Sequence, residues 1–364
     1  MHRLGISIYP TQSDLEMMKD YIDNSVRYGF KRIFTNLLSV KQEEREIFEK
    51  FKEIVKYANK NGMEVIADIN REVFKDLQID NLDLTFFDQL GVSGIRIDSG
   101  FSAQEVAKMT HNKQNMYIEL NISTSATFIN DVLNYKPNKD NLIGCHNFYP
   151  QQYTGLSFNH FQETSESYKQ HQLTTAAFVT SQHGNIGPWK VMEGLPTLED
   201  HRDLPIEVQA KHLLMTGLID DIIISNAYAT NEELYALSKI NLSMPTLNIE
   251  LNPDISNLEK KIILEEEHFN RGDVSDYVIR STMSRVNFKD REFPPHNTSK
   301  IEKGDILICN ETYGHYKGEM QIALQNMGNS GVKNVIGKIT EDEHFLLDLI
   351  EPWQSFVLNV KEQD

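Results

Sequence analysis

The first two thirds of the chain repeat one pattern, in which a short apolar run is followed by a polar break and a segment of helical periodicity. This pattern is typical of β/α units. The predicted strands are Leu4–Tyr9, Arg32–Leu37, Glu64–Asp68, Gly94–Asp98, Met116–Leu120, Leu142–Asn147, Thr175–Thr180 and Asp221–Ser225. Eight such strands close a (β/α)8 barrel, and residues 1–240 give enough chain for one. The predicted fold class is therefore α/β, with a TIM barrel as its first domain.

The predicted barrel helices begin and end on ordinary signals. Ser13 and Asp14 can cap a first helix that ends at Gly29, and a second helix is predicted over Glu43–Asn61, before Gly62. The apolar residues of the second helix recur at the spacing of one helix face, which predicts that this face packs on the barrel.

The connection after the seventh strand differs from the others. Residues 182–204 are rich in Gly and Pro and too long for a plain turn. Long loops without regular structure are often lids or walls of functional sites. We therefore expect this loop to border the site.

The pattern changes after Ser238, and residues 245–364 predict a second, smaller and mostly β domain. Short β-like runs alternate there with polar turns. The predicted strands are Thr246–Leu251, Tyr277–Ser281, Asp305–Cys309, Val335–Ile339 and Phe356–Val360, and one helix is predicted over Lys260–Phe269.

Composition narrows the class of protein. Asp and Glu number 53 against 36 Lys and Arg, a formal net charge of -17, which argues against a nucleic-acid partner. Cys145 and Cys309 lie in apolar runs, so we expect two buried thiols without a disulfide. The sequence shows neither a secretory signal pattern nor a run long enough for a membrane span. A cytoplasmic protein without a membrane partner is the expectation.

Three carboxylates stand at the ends of predicted strands three, four and five: Asp68, Asp98 and Glu119. Barrel active sites lie at these strand ends. Neighbouring strands are about 4.8 Å apart, so two of these carboxyl groups could reach the separation of roughly 5 to 9 Å that glycoside hydrolysis uses. One group would protonate the leaving oxygen while the other stabilises or attacks the anomeric centre. Alternatively, each carboxylate caps a helix or pairs with an arginine such as Arg96.

Other polar side chains near strand ends are candidate substrate contacts, or else structural groups of the barrel mouth. These are Asn121, His146, Asn147, Tyr149, Ser181, His183 and Asn226. Arg202 in the long loop could clamp an anion, and Arg280 and Lys317 could bind a phosphorylated ligand. Solvated loops and surface ion pairs explain these three cations equally well.

Several motifs of other functions are absent from the sequence. It has no P-loop, no GxGxxG after a strand and no GxSxG, so nucleotide-binding and serine-hydrolase functions lose support. No HExxH or CxxC occurs, and we predict neither a metal nor a cofactor.

Longer strings in the chain resemble a bacterial family, among them GIRIDSGF, IELNIS, GCHNFYPQ and YKGEMQIAL. The family is that of the 6-phospho-N-acetylmuramidases, formerly an uncharacterised "outer surface protein" group. The resemblance implies a glycosidase-type barrel followed by a cyclophilin-like β domain. It also implies hydrolysis of the β-1,4 bond between N-acetylmuramic acid 6-phosphate and N-acetylglucosamine in peptidoglycan recycling. The implied partner is this phosphorylated disaccharide, and a homo-oligomer is left open.

The catalytic roles come from the residues themselves. We expect Asp98 and Glu119 to form the carboxylate pair, with Asp68 as a substitute or as a group that tunes them. If the substrate's own 2-acetamido group attacks the anomeric carbon, one of the pair acts as a stabiliser. A non-catalytic sugar-phosphate-binding protein is the alternative. An aldolase would use a Schiff-base lysine, and none of the eight predicted strand ends has one.

Overall fold

The computed structural model describes residues 2–37, 45–76, 79, 80 and 82–361. The chain divides into two units, Met1–Lys239 and Ile240–Asp364. Of the helices in the described ranges, none is both long and apolar enough to cross a membrane.

In the described part of the first unit, eight parallel strands form a closed barrel in chain order. They are β1 (Arg3–Ile8), β2 (Arg32–Asn36), β3 (Glu64–Ile69), β4 (Gly94–Ile97), β5 (Tyr117–Asn121), β6 (Leu142–Cys145), β7 (Thr174–Val179) and β8 (Asp221–Ile224). β8 pairs with β1 and closes the ring. The predicted TIM barrel is confirmed, and each predicted strand end lies within two residues of the observed one.

At least one helix follows each barrel strand. They are α1 (Leu15–Arg27), α2 (Arg45–Lys60), α3 (Arg71–Asp76), α4 (Thr85–Leu90), α5 (Ala103–Met109), α6 (Phe128–Asn134), α7 (Phe158–Lys169), α8 (Ile206–Met215) and α9 (Asn231–Ser238). The Asp14 side chain caps α1 by accepting a hydrogen bond from the Glu16 N–H. Gly29 follows this helix at a φ of 83°, which favours glycine. The predicted start of the second helix, Glu43, lies outside the described residues.

The barrel interior contains buried charges below its mouth. Arg32 donates from Nη1 to Asp221 Oδ2 at 2.7 Å and from Nη2 to Glu119 Oε2, and all three side chains are buried. Arg3 binds the same Asp221 carboxylate through two of its nitrogens, at 2.9 and 2.6 Å. Because each charge faces an opposite one, the low-dielectric interior tolerates them.

Within residues 240–361 the second unit forms a seven-stranded mixed sheet with the order β10-β15-β9-β14-β12-β13-β11. The strands are β9 (Thr246–Leu251), β10 (His268–Phe269), β11 (Val278–Ser281), β12 (Asp305–Cys309), β13 (Met320–Ala323), β14 (Lys333–Ile339) and β15 (Ser355–Val360). β15 pairs with β9 in parallel, and the other pairs are antiparallel. Cys145 and Cys309 are free and buried, as expected.

The helix predicted over Lys260–Phe269 has the wrong bounds. The structure has a helix earlier, α10 (Asn257–Glu265), which Ser256 caps through a reciprocal capping box with Glu259. The last two predicted helical residues instead form β10, which pairs with β15. A strand pairing distant in sequence therefore ended the helix. A short helix, α11 (Met283–Asn287), and strand β13 were not predicted.

Candidate active site

A cavity lies at the C-terminal ends of the barrel strands. Its lining consists of Phe34, Asp68, Arg96, Asp98, Asn147, Phe148, Phe178 and Trp189. Seven of these eight residues belong to a barrel strand or lie within three residues of its end, and Trp189 comes from the long loop over residues 182–204. This is the face of a (β/α)8 barrel on which active sites are built.

Two carboxylates in this cavity share one arginine. Arg96 Nη1 donates to Asp68 Oδ1 at 2.8 Å and lies 3.5 Å from Asp98 Oδ1. The distance between Asp68 Oδ1 and Asp98 Oδ1 is therefore at most the sum of these two distances. Arg96 Nη2 donates to Asn147 Oδ1, which fixes the plane of the guanidinium.

The two carboxyl groups have different environments. The Asp68 side chain is 10% exposed and that of Asp98 is 39% exposed. Burial raises the pKa of Asp68 to about 6, against the opposing charge and hydrogen bond of Arg96. A carboxyl group that holds its proton up to about pH 6, beside a more exposed carboxylate, fits the arrangement of acid and partner in glycosidases.

Glu119 does not line this cavity, in contrast to its expected pairing with Asp98. It is fully buried and accepts a hydrogen bond from Arg32 inside the barrel. Arg96 lies in register with both Asp68 and Glu119 on its two neighbouring strands. Barrel strands are tilted, so equal register does not give equal height along the barrel axis. Asp68, expected as a substitute or as a group that tunes the pair, lies next to Asp98 on Arg96.

Aromatic rings form the cavity wall. Phe148 lies 5.9 Å from Phe34, 5.0 Å from Phe178 and 6.0 Å from Trp189, measured between ring centroids. Apolar rings with a few placed polar groups are typical of small-molecule sites. Sequence reasoning did not assign these aromatics to the site. The one available signal was a tryptophan within a loop already expected to border it.

A second cavity opens beside Asp98, between α5 and α6. Its lining consists of Ile97, Asp98, Ser99, Phe101, Val106, Leu120, Asn121, Thr124, Ser125, Thr127, Phe128 and Asp131. The candidate Asn121 lies here, with its Nδ2 3.4 Å from Asp98 Oδ1. Asp98 is therefore common to an aromatic cavity and to one rich in hydroxyl groups.

Strand six supplies structural and site residues side by side. His146 is fully buried, and its two ring nitrogens contact Ser123 Oγ at 3.1 Å and Ser165 Oγ at 2.8 Å. Burial lowers its pKa to about 3, so the ring is neutral. His146 therefore does not reach a ligand, whereas Asn147 lines the cavity. Tyr149 is half-buried, and burial raises the pKa of its hydroxyl.

The candidates after strands seven and eight bind one another. The Asn226 side chain bonds to the backbone of Ser181 and to Gly184 O, at 2.8 Å each. Ser181 Oγ donates to Glu233 at 2.6 Å. Both residues are buried and join two loops. His183 is exposed, with Nδ1 3.4 Å from Glu233 Oε1, and stays a candidate contact.

Arg202 is engaged within its own loop rather than available as an anion clamp. Its Nε and Nη2 bind the two oxygens of Glu199 at 2.7 and 2.6 Å. The remaining donors bond to the carbonyl oxygens of Tyr149, Gln151, Glu193 and Gly194. The hydrogen bond from Arg202 lowers the pKa of Glu199 to about 2. Every N–H group of this guanidinium thus has a partner in the protein.

The remaining candidates, Arg280 and Lys317, lie in the second unit. Arg280 binds Glu319, and Lys317 is half-buried in the turn before β13. Across the described residues of both units, no group of three or more His, Cys, Asp or Glu side chains could hold a metal ion.

A (β/α)8 barrel with two closely spaced carboxyl groups in an aromatic cavity at its mouth is the architecture of a glycoside hydrolase. Comparison with family models identifies the family: the N-terminal model of the 6-phospho-N-acetylmuramidases matches residues 4–239, and the C-terminal model matches residues 245–359. The chain belongs to this family and is a glycoside hydrolase. The family name implies a phosphorylated muramic sugar as substrate.

Two solved structures resemble the whole chain. An uncharacterised protein of B. cereus shares 46% sequence identity, with a TM-score of 0.92 over 98% of this chain and 99% of that one. A conserved protein of unknown function from Enterococcus faecalis shares 25% identity, with a TM-score of 0.72 over 99% of this chain and 96% of that one. No curated protein matched the chain.

Proposed function

We propose that the protein hydrolyses the β-1,4 bond of N-acetylmuramic acid 6-phosphate linked to N-acetylglucosamine. The observation that carries this proposal is the position of Asp98 between two adjoining cavities, with Asp68 held on the same arginine. A disaccharide has two rings joined at one reacting bond, and two cavities that share a carboxylate suit such a substrate.

The environments of the two carboxyl groups support a division of roles. Asp68, whose pKa is raised to about 6, holds a proton in the weakly acidic range and donates it to the glycosidic oxygen as that bond breaks. Asp98, the more exposed of the two, stabilises the positive charge that develops at the anomeric carbon, either directly or by orienting the 2-acetamido group. Water then adds to the anomeric carbon and gives a proton to the Asp68 carboxylate, which completes the hydrolysis and restores the acid.

The proposed setting is the recovery of peptidoglycan fragments in the cytoplasm. Two free thiols, both buried, fit a reducing compartment. A substrate that carries a phosphate has been phosphorylated before it reaches this enzyme, so the preceding step is a phosphoryl transfer.

The proposal is tested by incubating the purified protein with the 6-phosphorylated disaccharide and with its unphosphorylated twin. Released N-acetylglucosamine is measured by mass spectrometry. We expect release from the phosphorylated form alone. In Asp68→Asn and Asp98→Asn we expect a loss of at least about 100-fold, the usual share of an acid or base.

Asp20→Asn is the matched control, because Asp20 is exposed on α1. This variant should keep the wild-type rate. Equal release from both disaccharides would contradict phosphate recognition. Tight binding without release from either would instead leave a non-catalytic sugar-phosphate-binding protein.

A further inference from the structure

The second unit contains a fully buried carboxylate, Glu319, among basic side chains. Arg280 binds it with Nε 2.8 Å from Oε1 and Nη2 3.1 Å from Oε2. Arg285 Nη1 lies 3.1 Å from Oε2, and Gln321 Nε2 donates to Oε1 at 2.8 Å. One carboxylate therefore faces two guanidinium groups.

The sheet register brings a third cation to the same face. Arg280 on β11 lies opposite Gln321 on β13, and Lys333 on β14 lies opposite Cys309 on β12. The Cys309 N–H in turn donates to Glu319 O at 3.0 Å. Opposite residues of an antiparallel pair point to the same face. Burial and the charge of Arg280 lower the pKa of Lys333, while Glu319 opposes this.

These charges do not balance. In the described part of the second unit, Arg285 has no ion-pair partner but Glu319, and Lys333 has none. Asp273, the other carboxylate that acts on Arg280, already pairs with Arg271. Three cations around one carboxylate give a local excess of two positive charges, in a protein whose net charge is -17.

Two buried polar atoms also lack hydrogen-bond partners in this cluster. They are Arg285 Nη1, which is close to Glu319 without the geometry of a hydrogen bond, and Gln321 Oε1. Buried polar atoms are rarely left unpaired in native proteins. An unpaired donor beside an excess of positive charge is what an anion-binding site presents before its ligand arrives.

Aromatic rings give this cluster an accessible edge. The Tyr316 ring lies 5.9 Å from the Arg280 guanidinium and 5.6 Å from that of Arg285. Tyr313 packs beside it at 5.4 Å, and both tyrosines are partly exposed. The Arg280 and Arg285 side chains are themselves each 21% exposed, so a ligand can reach this cluster from solvent.

We propose that Arg280, Arg285 and Lys333 form a binding site for a doubly charged oxyanion, either inorganic phosphate or the phosphate group of an ester. Guanidinium and ammonium groups form strong charge-assisted hydrogen bonds to such oxyanions, and a dianion balances the excess charge of this cluster. The site belongs to the second unit, and it does not depend on the hydrolysis proposed above.

The test is isothermal titration of the full-length protein with inorganic phosphate and, separately, with glucose 6-phosphate. Glucose and sodium chloride at matched ionic strength are the ligand controls. Binding of inorganic phosphate would identify free phosphate as sufficient, and binding of the ester alone would identify a phosphate monoester. If neither binds, the proposal is overturned.

Arg285→Gln and Lys333→Gln should each weaken binding at least about tenfold, as expected for loss of a hydrogen bond to a charged group. Lys261→Gln on α10, an exposed lysine elsewhere in the unit, should leave the affinity unchanged. Thermal melts verify that each variant is folded. Unchanged affinity in both cluster variants would show that the anion binds elsewhere. Asp98→Asn should bind phosphate normally, so a failure of hydrolysis and a failure of this site are distinguishable.

Discussion

Arg96 contacts two carboxyl groups of the barrel mouth that differ in burial. It holds a buried Asp68 at 2.8 Å and a more exposed Asp98 at 3.5 Å through the same nitrogen. Burial raises the pKa of Asp68 more than Arg96 lowers it. The free-energy cost of removing the carboxylate from water exceeds the stabilisation that one shared cation provides.

The raised pKa of Asp68 predicts a pH dependence of hydrolysis. Below about 6 the group carries the proton that it must donate, and as pH rises through about 6 the proton is lost. We therefore expect kcat/KM to fall on the alkaline side with an apparent pKa near 6. A pH profile of the wild type measures this limb. Activity that kept rising through neutral pH would assign proton donation to another group.

Glu119 is expected to affect stability more than chemistry. Replacement by Gln leaves Arg32 with one carboxylate fewer in the barrel interior, and loss of one partner of a buried pair costs about 3 to 5 kcal/mol. We expect Glu119→Gln to lower the free energy of unfolding by about this amount in denaturant titrations. Its folded form should keep kcat within about tenfold of the wild type, well short of the loss expected for a catalytic group. A stable but inactive Glu119→Gln protein would return Glu119 to the catalytic pair.

At the scale of elements, the loop over residues 182–204 forms part of the wall of the site and is held in place by side-chain contacts. Within the loop, Arg202 binds Glu199. Arg202 also binds carbonyl oxygens of the segment after β6, which attaches the loop to that segment. This anchoring places Trp189 against Phe148. The loop lacks regular secondary structure over most of its length, and its position rests on these side-chain contacts.

Trp189 is expected to contribute to substrate binding. It is 53% exposed and lines the aromatic cavity, so Trp189→Ala removes a wall of the site and little of the core. We expect KM to rise about tenfold, a loss of about 1.4 kcal/mol of binding, with an unchanged melting temperature. Trp353→Ala is the control, since Trp353 is 69% exposed in the second unit. An unchanged KM in Trp189→Ala would exclude contact with the substrate.

Arg202 is expected to stabilise the loop. Arg202→Met leaves Glu199 and several carbonyl oxygens without their donor, which predicts a loss of about 3 kcal/mol in the free energy of unfolding. Limited proteolysis should cut the loop faster than in the wild type. Lys190→Met, at an exposed position of the same loop, is the matched control. A variant with normal stability but weaker substrate binding would support the anion clamp instead.

At the scale of the whole molecule, each of the two units has a β-sheet of its own. Every strand pair of the second unit joins strands of that unit, from β9 to β15. Its core includes Ile301, Leu307, Ala323 and Val335, which pack together. A unit that satisfies its own backbone and buries its own core has what independent folding requires.

Residues 240–364 expressed alone are therefore expected to fold. The fragment should show a cooperative thermal transition and the circular dichroism spectrum of a β-rich domain. The full-length chain provides the reference melt. A fragment that melts without cooperativity would show that the second unit needs the barrel in order to fold.

The sequence predicted the barrel well because strand and helix periodicities are local. It also placed Asp68 and Asp98 at strand ends, where both contact Arg96, and their catalytic roles stay a proposal. It misplaced Glu119 because strand tilt, which sets height in the barrel, leaves no local signal. Arg202 was misassigned for a similar reason: the carbonyl oxygens that engage it come partly from a segment some 50 residues earlier.

The Arg32–Glu119 contact also limits how this barrel can change during evolution. Both charges are buried, so replacing Arg32 alone leaves Glu119 without this partner, and replacing Glu119 alone leaves Arg32 with Asp221 only. Among related chains we expect the two positions to be substituted together or kept together. Covariation of this pair would then identify residues retained for the stability of the barrel, as distinct from residues retained for the reaction.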